Sequence, residues 1–376
     1  LFLTLFTFKT TAKIEKVEFV YIDIGGGNKL VNLNVKTLPN SNVPYLLKSG
    51  EGERYLFGRQ LATIIASGES TGNLVEMVIL SGGKEDHFPL HKHERTHEAI
   101  YVLHGRVGLD ISGKKYLLTE GNYAFIPAGT IHAYTMQSHR TQVLSITSKG
   151  GISSLYRQIG KPYEKYVHPP KAINELSREQ YEETSLVADV SFLFDKQTEG
   201  TAQIVESNSV PEEAVPFILE TGEGIRLVAA EQLFTLVTTQ KHTDGEFITA
   251  LTEGPKGDFI PEHYHEKHSE TFFCLEGQMT MTANGEEIVL LPGDFLHVPA
   301  FTKHSYRLDS HYTKFIGFLA TGLFEPFFHT LCDVYDDYIF PSDPPPFRFD
   351  RVLKTLHTLD LKPSDAPPVK EQPVEG

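Results

Sequence analysis

The sequence predicts an all-β protein built as two tandem barrels with a few flanking helices. Three observations predict it. The chain repeats itself at a constant offset, its apolar runs have strand length, and Gly, Asn, Asp or Ser separates most of those runs. The repeat is anchored by Pro44-Tyr-Leu-Leu-Lys-Ser-Gly-Glu-Gly-Glu-Arg54, which matches Pro216-Phe-Ile-Leu-Glu-Thr-Gly-Glu-Gly-Ile-Arg226 at 216 − 44 = 172. The same 172 carries Gln60 onto Gln232, Gly105 onto Gly277, Pro127 onto Pro299 and Pro169 onto Pro341. A constant offset over so long a stretch is a duplicated domain, consistent with roughly two to three domains for a chain of 376 residues.

The elements follow in order. Leu1–Phe8 is apolar but has no basic stretch before it, as a secretory signal requires, and is too short to span a bilayer. Residues 1–37 are expected to form an extension outside the fold. Gly25-Gly26-Gly27 lacks the Gly-Lys-Ser/Thr of a phosphate loop. Strands are expected at Val75–Leu80, Ala99–Leu103, Val107–Ile111 and Val143–Ile146. Ser177-Arg-Glu-Gln180 has capping-box form and should open a helix over Tyr181–Ala188. In the second copy, Val352, Leu353, Leu356 and Leu359 recur at helical spacing within Phe349–Leu361. The polar stretch 190–212 marks the junction, giving a first domain at 38–195 and a second at 196–362. Pro363–Gly376 reads as a solvated, disordered tail.

Lys+Arg 34 against Asp+Glu 49 gives a net charge of −15, which argues against nucleic acid or an anionic membrane as partner. Two cysteines, Cys274 and Cys332, are too few for a disulfide framework, so a reducing, cytoplasmic compartment is expected. A symmetric homodimer is the expected assembly.

The 17 histidines carry the chemistry. The first copy has His91-Lys-His93-Glu-Arg-Thr-His-Glu98 and later His132; the second has His263-Tyr-His265-Glu-Lys-His-Ser-Glu270 and His304. Residues i and i+2 of a strand share a face, so His91 and His93 can aim at one point, and a short turn would return Glu98 beside them. Each ligand pair keeps the offset: 263 − 91, 265 − 93, 270 − 98 and 304 − 132 all equal 172. Three imidazoles and a carboxylate suit Fe, Mn, Co, Ni or Zn.

These residues resemble the two motifs of the cupin family: His-x-His-x4-Glu-x6-Gly, then Gly-x5-Pro-x-Gly-x2-His. Glu85 stands where the first motif usually begins with glycine, Gly257 keeps it in the second copy, and Phe301 replaces the glycine that the first copy has at Gly129. Two such double-stranded β-helix (jelly-roll) barrels make a bicupin. The stretches 45–60, 131–140 and 263–281 further resemble bacterial bicupin quercetin 2,3-dioxygenases, over roughly Pro39 to Leu361. The resemblance implies opening of a flavonol's central ring by O2, with release of carbon monoxide and a depside, at one divalent metal per domain: Fe(II), Mn(II), Co(II) or Ni(II). The flavonol 3-hydroxyl must lose a proton, and Glu98 is the candidate base.

A flat apolar substrate calls for aromatic walls. Tyr134 and Tyr306, two residues beyond His132 and His304, should share their faces, and Phe125 or Ile126 should face inward. The first copy, with its second motif intact, is expected to be the main catalytic site. Met77, Met136, Met279 and Met281 read as barrel filler, Cys274 as a buried thiol, and His139 with His311 as a repeated structural pair. His97, His104, His168 and His242 read as surface residues. The rival readings are a manganese bicupin acting on oxalate or a similar acid, which would need a cation such as Arg95 or Arg106 over the metal, and a non-catalytic ligand-binding cupin.

Overall fold

The computed structural model describes residues 33–172, 175–196, 200–204, 209–337 and 340–364. Two barrels follow one another, each made of two facing sheets. In the first, eight strands face six; in the second, nine face five, among the described residues. The four expected strand runs are present as Glu76–Gly82, Glu98–His104, Arg106–Ile111 and Thr141–Thr147. Alternation decides their faces: along His132–Met136, His132, Tyr134 and Met136 are buried while Ala133 and Thr135 are partly open. Gly105 and Gly277 occupy equivalent turns with φ of 81° and 73°. A Cβ at either would lie 2.4 or 2.3 Å from a backbone oxygen, so only glycine fits both turns.

The repeat folds with a strand exchange. Tyr45–Leu47 of the first copy pairs with Phe295–Val298 of the second barrel. The equivalent Phe217–Leu219 pairs with Tyr123–Ile126 of the first. The barrels are joined further by the Tyr123 and Thr238 hydroxyls, 2.5 Å apart, and by a continuous core that includes Phe125, Phe217, Phe247 and Phe318.

Several expectations about the ends and helices are corrected. Leu33 is 2% exposed in the second barrel's core, and Asn34–Val35 pairs with Leu46–Leu47, so the last part of the expected extension 1–37 belongs to the fold. Residues 1–32 lie outside the described residues, as does the tail from 365. Lys362–Pro363 still pairs with His263–Tyr264, which moves the start of the tail outward. Gln203–Ile204, beyond the expected division at 195/196, adds to the first barrel's six-stranded sheet. The helix capped by Ser177 runs over Arg178–Glu183 and tightens into a 3-10 turn at Thr184–Leu186, where the Thr184 hydroxyl donates to the Tyr181 carbonyl. Phe349–Thr355 is helical, followed by a 3-10 turn to Thr358. Three further α-helices were not expected: the single turn Gly68–Thr71, Ile152–Ile159 and Glu325–Leu331, of which the last two pack apolar faces onto the barrels. No helix among the described residues is long and apolar enough to cross a membrane.

Candidate metal centres and an adjoining cavity

Four side chains converge at one end of the first barrel. His91 lies on the strand His87–Lys92, and His132 opens the strand directly opposite, where the two are cross-strand partners. Glu98 opens a strand of the facing sheet. The ligand atoms of His91, His93, Glu98 and His132 all lie within 4.8 Å of one another, and all four residues are buried. Each imidazole is oriented from behind. Nδ1–H donates to a carbonyl that can only accept: Pro89 for His91 (2.8 Å), Asp189 for His93 (2.5 Å) and Thr130 for His132 (3.0 Å). That fixes the tautomer and turns the Nε2 lone pairs inward.

Lone pairs then face a carboxylate. His132 Nε2 is 3.0 Å and His93 Nε2 3.4 Å from the Glu98 Oε2 atom. Neighbouring ligands each about 2.1 Å from one ion stand about 3 Å apart at a right angle, so a divalent cation fits this donor set. His93 Nε2 is buried without a hydrogen-bond partner, which a cation would satisfy. Burial holds His91 well below the ordinary imidazole range, and its neighbours His132 and His93 add to this. Burial pushes the Glu98 carboxyl up, but its contacts with His132 and His93 outweigh that and hold it well below the usual carboxylate range.

The second barrel repeats the cluster with two changes. His263, His265 and His304 have ligand atoms within 4.8 Å of one another, and their Nδ1–H groups donate to the carbonyls of Pro261, Asp360 and Thr302. The Glu270 Oε2 atom is 3.1 Å from His304 Nε2, and its Oε1 is 3.6 Å from His265 Nε2. Burial pushes His263 down to about 3. The first change is at Glu98 Oε1, which accepts from the Ser145 hydroxyl at 2.7 Å. The equivalent residue is Gly317, so Glu270 has no such donor. The second is His268, in the place of Thr96. Its Nδ1 is 2.8 Å from Asp360 Oδ2, and its Nε2 is 3.7 Å from Glu270 Oε1. Sequence reasoning did not single out His268, although the offset set it against a non-histidine.

The clearest difference is space. An apolar cavity of about 330 Å³ fills the second barrel, with His263 and Glu270 on its wall. Phe234, Phe272, Tyr306 and Phe315 line it, and the Tyr306 hydroxyl donates to Gln232 Oε1 at 2.5 Å. Tyr306 therefore stands where the sequence placed it. Tyr134 makes the equivalent bond to Gln60 (3.1 Å) but stacks on Phe88 inside a packed aromatic group. Phe125 is a correction. It packs against His97, Phe217, His242 and Phe247 between the barrels, whereas Ile126 is paired with Glu98 and shares its face. His97 and His242 are buried at that same junction, at 9% and 0% exposure, and are not surface residues. His104 is exposed and His168 half-buried. His139 and His311 are exposed; the turn before Thr141 is held by Ser138. The four methionines and Cys274 are buried as expected.

Phe301 does not distort its turn. It adopts φ 66° where Gly129 has 81°, and its N–H donates to the His265 carbonyl at 2.6 Å, just as Gly129 donates to His93 at 2.6 Å.

Comparison with known proteins agrees with this architecture. The family model described as a cupin domain matches residues 77–147 and 250–313. The chain is 57% identical to quercetin 2,3-dioxygenase of Bacillus subtilis over 326 residues, covering 87% of this chain and 97% of the relative. It is 28% identical over 129 residues to quercetin 2,3-dioxygenase of Aspergillus japonicus, covering 32% of this chain and 37% of that one. Among solved structures, oxalate decarboxylase of Bacillus subtilis superposes with a TM-score of 0.50 at 16% identity, over 75% of this chain and 78% of that one, a likeness of fold alone. With 57% identity across nearly the whole of that Bacillus subtilis relative, with His91, His93, Glu98 and His132 gathered in one barrel and with His263, His265 and His304 gathered beside Glu270 in the other, this chain belongs to the quercetin 2,3-dioxygenase family.

Proposed function

We propose that the protein is a metal-dependent flavonol dioxygenase that opens the central ring of quercetin-like substrates with O2 and releases carbon monoxide and a depside. The observation that carries this reading is the opening of an apolar, aromatic-walled cavity onto His263 and Glu270, beside a histidine cluster whose His304 and His265 Nε2 atoms lie 3.1 and 3.6 Å from the Glu270 carboxylate. His91, His93, Glu98 and His132 would hold one divalent ion, and His263, His265, Glu270 and His304 a second. Fe(II), Mn(II), Co(II) and Ni(II) all suit that donor set. A bound ion would supply a Lewis-acid contact for the deprotonated substrate and an electronic path to O2. The chain's own residues do the rest. The carboxylate of each cluster, Glu98 or Glu270, accepts the proton of the flavonol 3-hydroxyl. Burial and aromatic walls exclude water and hold the ring system flat, with Tyr306 fixed by Gln232.

The oxalate reading is not favoured by the second site: no Arg or Lys lines the cavity beside His263 and Glu270, and that lining is almost wholly apolar. In the first barrel, Arg95 and Arg106 are exposed, whereas the cluster there is buried. Two further expectations stay with this reading. A cytoplasmic setting suits two buried free thiols, and a symmetric homodimer is checked by sedimentation. The division into two units, with the junction inside 190–212 and beyond Gln203–Ile204, is part of the same proposal. The test is direct: protein loaded with each of the four metals, given quercetin in air, should consume it and release carbon monoxide. Loss of oxalate in place of quercetin would overturn the reading.

A further inference from the structure

We propose that the two centres differ in access: the second barrel takes the flavonol, and the ring of Phe88 seals the first, so that positions 88 and 260 decide which barrel admits substrate. This rests on the flavonol reading above.

The offset of 172 sets Phe88 against Ile260. Phe88 is 2% exposed and stands edge-on to His91, with ring centroids 4.9 Å apart. It stacks on Tyr134 at 5.8 Å with the planes 10° apart. Phe192 from the trailing segment pairs with His91 in the strand register and brings a second ring within 5.9 Å of it. The residue that pairs with His263 is Pro363. Two aromatic rings beside the first histidine of one cluster are thus replaced by Ile260 and Pro363 beside the other. Where they are replaced, a cavity of about 330 Å³ opens against His263 and Glu270. That volume lies in the range of small-molecule pockets, roughly 300–1,000 Å³.

The first barrel still has an outer hollow. About 650 Å³ of open space is bounded by Phe57, Gln60, Pro89 and Tyr181, and no residue of the first cluster lines it. Phe57 and Tyr181 are also ring neighbours of Phe88, at 6.3 and 5.8 Å. Phe88 therefore lies between that hollow and His91. The carboxylates differ as well. Glu98 Oε1 is hydrogen-bonded by the Ser145 hydroxyl, whereas Glu270 borders the cavity, Gly317 stands in the place of Ser145, and His268 Nε2 lies 3.7 Å from Glu270 Oε1. If access divides the two centres in this way, the main catalytic site is the second copy and not, as the motifs alone suggested, the first.

The test measures binding stoichiometry. Protein carrying two metal ions per chain, verified by elemental analysis, is titrated with quercetin without O2. The wild type should bind one equivalent per chain, and two equivalents would overturn the proposal. This measurement needs no variant. Phe88→Ala should raise the count to two, and a count that stays at one would reject Phe88 as the seal. Ile260→Phe with both metals retained should weaken quercetin binding at least tenfold; unchanged affinity would also overturn the proposal. No binding and no carbon monoxide from the wild type would instead reject the flavonol reading itself.

Discussion

Phe301 and Gly129 occupy equivalent turns, and what separates them is backbone energy. A phenylalanine at φ 66° is held in the left-handed region without a side-chain contribution to offset it, since the ring is 68% exposed. Phe301→Gly should stabilise the protein by about 1 kcal/mol, read as a higher urea midpoint. An unchanged or lower midpoint would mean that the turn is not strained. Glu270→Gln should keep metal in the second barrel but lose most turnover, because an amide cannot accept the 3-hydroxyl proton. Near-normal turnover in that variant, with metal verified, would reject Glu270 as the base. The histidine ligands were legible because spacing by two on a strand is local. The role of His268 was not, since its partner Asp360 lies 92 residues away. Phe125 and Ile126 were equally good candidates by alternation; only the pairing of Ile126 with Glu98 decides which faces the cluster.

At the scale of elements, the exchanged strands are the feature that the repeat hid. Its alignment shows that 45–47 and 217–219 are equivalent, yet either barrel could satisfy either strand, so crossing over is a tertiary outcome. Asp294 anchors one exchanged segment. Buried at 3% exposure, it accepts from the Ser49 N–H, the Leu291 N–H and the Lys48 ammonium at 2.8, 3.0 and 2.8 Å. Asp294→Ala strands two backbone donors and should lower stability by about 2 kcal/mol or more. A change under about 0.5 kcal/mol in chemical unfolding would show that the anchor is dispensable. The strands were legible because turn residues bracket alternating runs. The helix Ile152–Ile159 was missed although Gly151 and Gly160 flank it and Ile152, Leu155, Tyr156 and Ile159 fall on one face.

At the scale of the whole molecule, buried histidines contribute to the response to acid. His297, 0% exposed on the strand that receives Tyr45–Leu47, is pushed down to about 3 by burial, and its Nε2–H donates to Asn42 Oδ1 at 2.8 Å. The unfolded chain protonates this residue near 6.5, and the folded one does not until about 3. The unfolded state therefore binds the extra proton in that window, and stability falls as pH drops from about 6.5 toward 3, by up to about 1.4 kcal/mol per pH unit. His297→Gln should flatten the slope of stability against pH between 6.5 and 5; an equal slope in both proteins would assign the acid response elsewhere. Two barrels, two clusters and an acidic exterior were legible in the sequence, but the unequal space inside the barrels was not. That inequality comes from side chains far apart in the chain: Phe88 and Phe192 meet beside His91, and Tyr181 packs on the ring of Phe88.

The central claim is flavonol cleavage, and released carbon monoxide tests it most directly. Protein loaded separately with Fe(II), Mn(II), Co(II) and Ni(II) is given quercetin in air while absorbance and carbon monoxide are followed together. At least one metal should yield one carbon monoxide per quercetin lost, and stripping the metal with a chelator should stop it. Quercetin left intact, or lost without carbon monoxide, under all four metals would contradict the account.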